Sequence, residues 1–279
     1  MCADPSTLEG LNWWLCYLTT VKHMNLYTSV FTVLLLLAIV TPCILALGFG
    51  GAVAKRSALM PVRWVGMGYT SMVRGVPDIV FFMFVPIALD QVFEMIRHKV
   101  LCSDVNDPIW QGNDFVVCDI AKLPLNAAPQ WQHDAYGFIL AVIAFAIVFG
   151  AFAANVIEGA LKAVPKGQLE AGEAIGMTKR QIFTRIHAPQ MWRYALPGLS
   201  NLWMILLKAT PLLFLLGIED VVYWARELGG AKTSRFAYPH PDWRLGYFLA
   251  LLVFYLFLTW ISEKVFDRLK LRFGAGVAV

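Results

Sequence analysis

Apolar residues in this chain are gathered into blocks of membrane length rather than spread at helical or strand period. The first block covers residues 27–53, with Pro42 as a point for a kink. The second lies within 64–89 and is interrupted by Arg74, Asp78, Pro77 and Pro86. The third, 136–157, is uninterrupted. The fourth, 196–218, contains Lys208 and Pro211, and the fifth, 245–261, is clean and aromatic. A hydrocarbon core of about 30 Å requires about 20 residues of α-helix, and lipid offers the backbone amides of an open chain no other partner. The pattern therefore predicts an all-α polytopic membrane protein with about five transmembrane helices, forming a single domain over residues 1–279.

Composition agrees. The chain is 58% hydrophobic and only 15% charged, where a soluble domain carries about 25% charge. A formal charge of +4 is too small to suggest nucleic acid, and in a membrane protein the location of charge matters more than its total. With the N-terminus outside, the inner segments hold Lys55, Arg56, Arg63, Arg74, Lys162, Lys166, Lys179, Arg180, Arg185, Arg193 and the basic tail from Lys264 to Arg272. The outer segments hold fewer cations, so the bias favours N-out, C-in. That arrangement gives an outer N-terminal segment (1–25), a long outer loop (97–134) and a cytoplasmic loop (158–195). The N-terminus does not read as a signal peptide, because Asp4 and Glu9 face a single Lys22 and the following apolar run is too long.

The five cysteines include no C-x-x-C pair, and the histidines (His23, His98, His133, His187, His240) form no spaced ligand set, so no metal site is expected. Cys102 and Cys118 share the outer loop. An oxidising compartment would allow them to pair; two free thiols are the alternative.

Residues 170–189 are a polar, helix-competent stretch between two apolar blocks. Pro165-Lys166-Gly167 breaks the chain, and a helix is predicted from Gln168. Glu170 and Glu173, three apart, share one face near the positive end of the helix dipole. Leu169, Ala171, Ala174, Ile175 and Thr178 make a small, mostly apolar opposite side, and Gly176 permits a turn at the helix end. A second amphipathic stretch, 179–186, runs to Pro189.

This segment resembles the EAA loop of the permease subunits of ATP-binding-cassette importers. Glu170, Ala171, Gly176, Ile186 and Pro189 stand at that loop's spacing, with Gly172 where alanine is usual and Ala188 where leucine is usual. Further matches follow the order of the polar amino-acid uptake subfamily: Arg74-Gly75-Val76-Pro77, Pro165-Lys166-Gly167-Gln168, Pro189-Gln190 with Leu196-Pro197, and Leu207-Lys208-Ala209-Thr210-Pro211-Leu212. The resemblance covers roughly residues 25–265. It implies an importer type I permease fold in a bacterial inner membrane, a second permease subunit (similar or identical), cytoplasmic ATPase subunits and an extracytoplasmic amino-acid-binding protein. The loop (Glu170, Ala171, Gly172, Glu173, Ala174, Gly176, Ile186, Pro189) would be the coupling helix docking on the ATPase, with Glu170 the first candidate to meet a basic group there.

The chain has no G-x-x-x-x-G-K-[ST] loop, so it is expected to bind no cofactor itself, ATP and magnesium belonging to the partner ATPase. Lys208 in the fourth block is costly in lipid unless paired or wet. It is expected either to face the translocation path, with Thr210, or to pair with Asp78, Asp90 or Glu158, or to snorkel toward an end of the span. A stand-alone secondary transporter or channel for small polar solutes is the competing class, disfavoured because no half of the chain repeats the other. A membrane-bound enzyme is disfavoured because no acid, base or nucleophile cluster stands at the membrane surface. The Arg-Gly-Val-Pro-Asp form resembles that of the histidine, arginine and related basic amino-acid branch, with glutamate, glutamine or an opine-type derivative as the alternative cargoes.

Overall fold

The computed structural model describes residues 9–104, 108–122 and 128–274. In chain order these form α1 (Gly10–Leu18), α2 (Val21–Lys55), α3 (Met60–Gly75), α4 (Asp78–Leu101), a two-stranded hairpin β1 (Trp110–Gln111) and β2 (Asp114–Phe115), and α5 (Gln130–Ala163). There follow α6 (Lys166–Ala174), α7 (Lys179–Ile182), α8 (Ala188–Ala209), α9 (Val221–Gly229) and α10 (Arg244–Gly274). A π-turn, Phe183–His187, joins α7 to α8, and a 3-10 segment, Thr210–Leu216, continues α8.

The helices assemble around α5, whose inner faces are buried almost along its length. Lipid tails are as apolar as leucine, so helices in a bilayer associate where small residues let backbones come close. Here α2 meets α5 through such a seam. A Cβ on Gly48 would stand 2.7 Å from the Cβ of Ala153, one on Gly51 2.8 Å from that of Ala154, and one on Gly150 2.8 Å from that of Leu47. Gly150 serves a second contact, since its missing side chain admits the Tyr69 hydroxyl of α3, which donates to the Ile147 carbonyl at 2.6 Å. Above the seam, Val33, Leu36, Leu37 and Val40 of α2 join Phe81 and Phe82 of α4, Phe145 and Phe149 of α5, and Leu206 and Leu207 of α8 in one core cluster.

Among the described residues, four helices are long and apolar enough to cross a membrane: α2, α4, α5 and α10. The remaining blocks differ from the sequence expectation for identifiable reasons. The block at 64–89 is not one helix. Pro77 has no N–H to donate and forces Val76 into an extended conformation (φ −116, ψ 140), so α3 stops at Gly75 and α4 starts at Asp78. Tyr69 and the ring of Phe82 then meet the same turns of α5 from two separate helices. Helix α4 runs on to Leu101 and α5 starts at Gln130, so Arg97 and His133 belong to helices. The block at 196–218 is the second half of α8 followed by the 3-10 segment, where Pro211 disrupts α-helical hydrogen bonding. Pro42, by contrast, is carried inside an unbroken α2.

Replacing Gly48 by valine forces overpacking against Ala153 and its backbone, with an expected loss of about 1–3 kcal/mol. Gly50→Ala, where a Cβ meets nothing within 4 Å, should be neutral or slightly stabilising. Thermal unfolding of the two purified variants in one detergent checks the contrast, and equal melting temperatures would refute the seam.

Candidate functional site

The polar connector folds as an elbow. After Val164, α6 begins at Lys166, two residues earlier than the sequence suggests, with Pro165 as the residue that precedes it. It ends in a Schellman motif: the Met177 N–H donates to the Gly172 carbonyl at 3.0 Å and the Gly176 N–H to the Glu173 carbonyl at 2.9 Å, with Gly176 at φ +81. Only a residue tolerating that left-handed φ makes the turn without strain. Thr178 then caps α7 in a reciprocal box, its hydroxyl accepting from the Gln181 N–H at 3.3 Å while its own N–H donates to the Gln181 amide oxygen at 2.8 Å.

Two of the expected site residues acquire a structural reason here. Gly172 is buried, and a Cβ there would lie 3.0 Å from Ile186 Cδ1 and 3.2 Å from Ile182 Cγ1. The glycine lets α6 lie close against α7 and the π-turn. Pro189 does not end the helical run but sits in the first turn of α8. The wider π-turn before it accommodates the proline's missing donor and its ring. Leu169 and Gly172 form the inward face, with Leu169 against a cluster that includes Ile157, Leu161 and Met191. Glu170, Ala171, Glu173, Ala174 and Ile175 all face out, and Ile175 is 79% exposed. The division of faces read from the sequence is thus rotated, the apolar tip standing beside the carboxylates rather than opposite them.

The elbow is tied firmly to the helices behind it. His187 Nε2 donates to the Leu161 carbonyl at 3.0 Å, and Gln190 bonds Gln168 side chain to side chain. At its base Lys55 of α2 donates to Asn155 of α5 at 2.7 Å and pairs with Glu158, which also receives Lys162 at 2.6 Å. Asn155 and Glu158 therefore hold α2 to α5 beneath the elbow.

Lys208 is exposed and, among the described residues, forms no ion pair: Asp90 accepts from Tyr136 at 2.7 Å, and Glu158 is occupied as above. Pro197, Asn201, Ile205 and Lys208 are all exposed at spacings that place them on one stripe of α8. Asn201 was missed in the sequence; its seven-residue spacing from Lys208, two helical turns, was the available signal. Thr210 is fully buried, its hydroxyl bonded to the Leu207 carbonyl and to the Tyr255 hydroxyl, each at 3.0 Å. It ties α8 to α10 instead of sharing the Lys208 stripe. Cys102 and Cys118 are disulfide-bonded. His98 Nδ1 beside them accepts from the Cys118 N–H at 3.1 Å, and with the sulfurs joined to each other the trio offers no thiolate for a metal.

Fold and site together define a helical membrane subunit that presents a rigid, acid-tipped elbow to one side. The chain belongs to the family of binding-protein-dependent transport system inner membrane components, whose model matches residues 44–273. It is similar to the arginine ABC transporter permease protein ArtQ of Escherichia coli K12, 31% identical over 228 residues (82% of this chain, 86% of that one). The histidine/lysine/arginine/ornithine transport system permease protein HisQ of Salmonella typhimurium is 33% identical over 233 residues (83% and 85%). The octopine transport system permease protein OccQ of Rhizobium radiobacter is 28% identical over 234 residues (84% and 83%). Among solved structures, an amino acid ABC transporter crystallised with histidines matches with a TM-score of 0.61 at 20% identity, covering 92% of this chain and 98% of that one. The MetNI methionine ABC transporter, inward facing, matches with 0.57 at 13% identity (91% and 99%). These two bear on the fold alone. The chain is a permease subunit of an importer, as the resemblance in its motifs led one to expect.

One buried group lies outside the elbow. Asp220, past the end of the fourth apolar block, is fully buried and caps α9, its Oδ1 accepting from the N–H groups of Val222 (3.1 Å) and Tyr223 (2.8 Å). Among the described residues its Oδ2 has no partner. Burial pushes the carboxyl from 3.8 up to about 6, against the opposing pull of the backbone N–H bonds. Because the folded value is raised, this group's contribution to stability is complete below about pH 4 and is lost as pH rises through about 6. Asp220→Asn keeps a cap acceptor and removes the charge. Its unfolding free energy should lack a loss on the order of 2 kcal/mol that the parent shows between pH 4 and 7.5, as measured by thermal melts across that range.

Proposed function

We propose that this chain forms the translocation path of an ATP-driven importer for polar, basic amino acids and couples to a separate ATPase through the 170–189 elbow. The observation that carries the reading is the elbow's construction: a short helix with Glu170, Glu173 and Ile175 presented outward, locked by the Schellman turn, the capping box and the seated Gly172. Such a helix inserts in a cleft as a unit, its apolar tip buried and its carboxylates meeting basic groups. Coupling then requires only that contact energy differ between ATPase states. The Lys55–Glu158–Asn155 tie and the α2–α5 seam pass that displacement to the spanning helices.

In this reading the chain crosses the bacterial inner membrane five times, N-out and C-in, with α8 and its 3-10 extension as the fourth crossing. It pairs with a second permease chain, similar or identical, and receives cargo from an extracytoplasmic binding protein. The α8 stripe bearing Asn201 and Lys208 would be costly against lipid, which supports its facing the path between the two permeases. The specificities that the relatives' names carry (arginine; histidine, lysine, arginine and ornithine; octopine) support a basic amino acid or derivative as cargo. The disulfide at Cys102–Cys118 fits a loop on the oxidising side.

Glu170→Lys should abolish amino-acid uptake in vesicles, and the binding protein should no longer stimulate ATP hydrolysis, while the chain still inserts and melts as the parent does. Normal uptake by that variant would sink the docking assignment. Lys208→Met, measured in the same vesicles, should reduce uptake at least about tenfold, equivalent to about 1.4 kcal/mol, with ATPase docking intact. Unchanged transport would remove Lys208 from the path.

A further inference from the structure

At the end of the molecule opposite the elbow, four side chains from four segments form one continuous line of hydrogen bonds. They are His23 of α2, Tyr247 of α10, Tyr17 of α1 and His240 of the turn before α10. The Thr20 hydroxyl lies 2.8 Å from His23 Nδ1, His23 Nε2 2.7 Å from the Tyr247 hydroxyl, and that hydroxyl 3.2 Å from the Tyr17 hydroxyl. The Tyr17 hydroxyl is in turn 3.2 Å from His240 Nε2, and His240 Nδ1 is 2.7 Å from the Pro241 carbonyl oxygen. Tyr17, His23 and His240 are buried. The coupling described above uses none of them.

A carbonyl oxygen can only accept, so Pro241 fixes the sense of the whole line. His240 carries its proton on Nδ1 and donates it to Pro241, which leaves Nε2 to accept from the Tyr17 hydroxyl. Tyr17 then accepts from Tyr247, Tyr247 from the His23 Nε2–H, and His23 Nδ1 from Thr20. With both imidazoles neutral, every donor in the line has an acceptor.

One added proton is also accommodated. On His23 it sits at Nδ1 and is donated to the Thr20 oxygen. Passed along the two hydroxyls, its charge arrives on His240 with the line reversed and every donor still satisfied. The His240 ring stacks on Trp243 at 4.2 Å with 9° between planes, an indole face that favours a cation. A second proton does not fit. Imidazolium N–H groups would then face the tyrosine pair from both sides, and one buried hydroxyl hydrogen would have no acceptor.

The surrounding charges act in the same direction. Lys22 of α2 and Lys232 line a cavity of about 260 Å³ together with Tyr17, Thr20 and His240. Both lysines donate to the single carboxylate of Glu227 on α9, which leaves a net positive charge beside the histidines. Asp242 and Arg244, flanking Trp243, pair with each other at 3.6 Å. The remaining ionisable rings in contact, Tyr27 with His23 and Tyr238 with Tyr17, are uncharged near neutrality.

We propose that this line is a binding site for one proton, shared between His23 and His240, and that it latches α1 and α10 to α2 until a second proton opens it. Tyr17 and Tyr247 stand 230 residues apart in the chain, so opening the line frees the two ends of the helical domain from each other. Acid is the opening condition.

The test uses the whole importer complex in nanodiscs, where both faces meet the same buffer, so its outcome does not depend on the orientation of the chain. Solid-state NMR of isotope-labelled histidine should show opposite neutral tautomers above about pH 7, with the proton on Nε2 of His23 and on Nδ1 of His240. The same tautomer at both positions overturns the proposal. Hydrogen exchange of the α1 amides, corrected for the intrinsic pH dependence of exchange, should rise at least about tenfold between about pH 7.5 and 4.5, on either side of the ordinary histidine value. Protection in the parent that does not change with pH overturns it as well. His23→Gln and His240→Gln each keep an uncharged donor and acceptor in the line and leave one imidazole, which takes one proton. Either variant should therefore lose the acid response while α1 stays protected near neutrality. Both retain Glu227, so an acid response equal to the parent's in both would trace the opening to that carboxylate and overturn the latch. The tautomer measurement on the parent decides the matter if a variant folds poorly.

Discussion

The glycine–alanine seam between α2 and α5 is the contact on which the other elements depend. In a bilayer, burying one apolar side chain against another displaces only lipid of the same polarity, so close backbone approach and dispersion contacts must supply the attraction. Gly48, Gly51 and Gly150 allow that approach, and Gly150 also admits Tyr69, so three helices are registered at one residue. The aromatic cluster of Phe82, Phe145 and Phe149 brings α4 onto the same helix, and Leu206 and Leu207 bring α8. Helix α5 is thus the hub, and displacement of any neighbour is referred to it.

This arrangement gives the elbow its mechanical meaning. Beneath α6, the cluster of Ala52, Ile157, Leu161, Met191 and Ala195 joins α2, α5 and α8 at their shared end. The half-buried Lys55–Glu158 pair, with Asn155 as a further acceptor, crosses the same junction. Such a pair adds little net stability once desolvation is counted, but it fixes one geometry. In the proposed coupling, a load applied at Glu170 or Ile175 would reach α2, α5 and α8 without first deforming the loop. The opposite end of the molecule is braced differently. Lys22 and Lys232 both donate to Glu227, holding its carboxyl below the usual range, and the Tyr17 hydroxyl, hydrogen-bonded to a His240 ring that stacks on Trp243, fastens α1 to the turn before α10.

Much of this was legible in the chain. The apolar blocks located α2, α5, α10 and the first half of α4, and Pro77 marked the interruption that the structure resolves into two elements. Gly176, Glu170 and the small residues around them announced a short helix and a sharp turn. Their spacing, with the motifs on either side, carried the family. The rest had no local signature. Gly172 looked like a defect in the loop pattern until Ile182 and Ile186 were found packed on it. Thr210 and Lys208 stand two residues apart in one motif, yet one is buried against Tyr255 and the other is exposed.

By itself, then, the sequence determined where the long apolar helices lie and what the elbow is built from, because those depend on backbone donors, glycine and proline geometry and charge along a short stretch of chain. Only the tertiary structure decided which face of each helix meets protein and which is left open, and with it the seam, the α8 polar stripe and the line of side chains from His23 to His240. The physical reason is that lipid and protein interior are equally apolar. Hydropathy cannot separate them, and the choice between them is made by close packing between residues such as Gly48 and Ala153 that lie far apart in the chain.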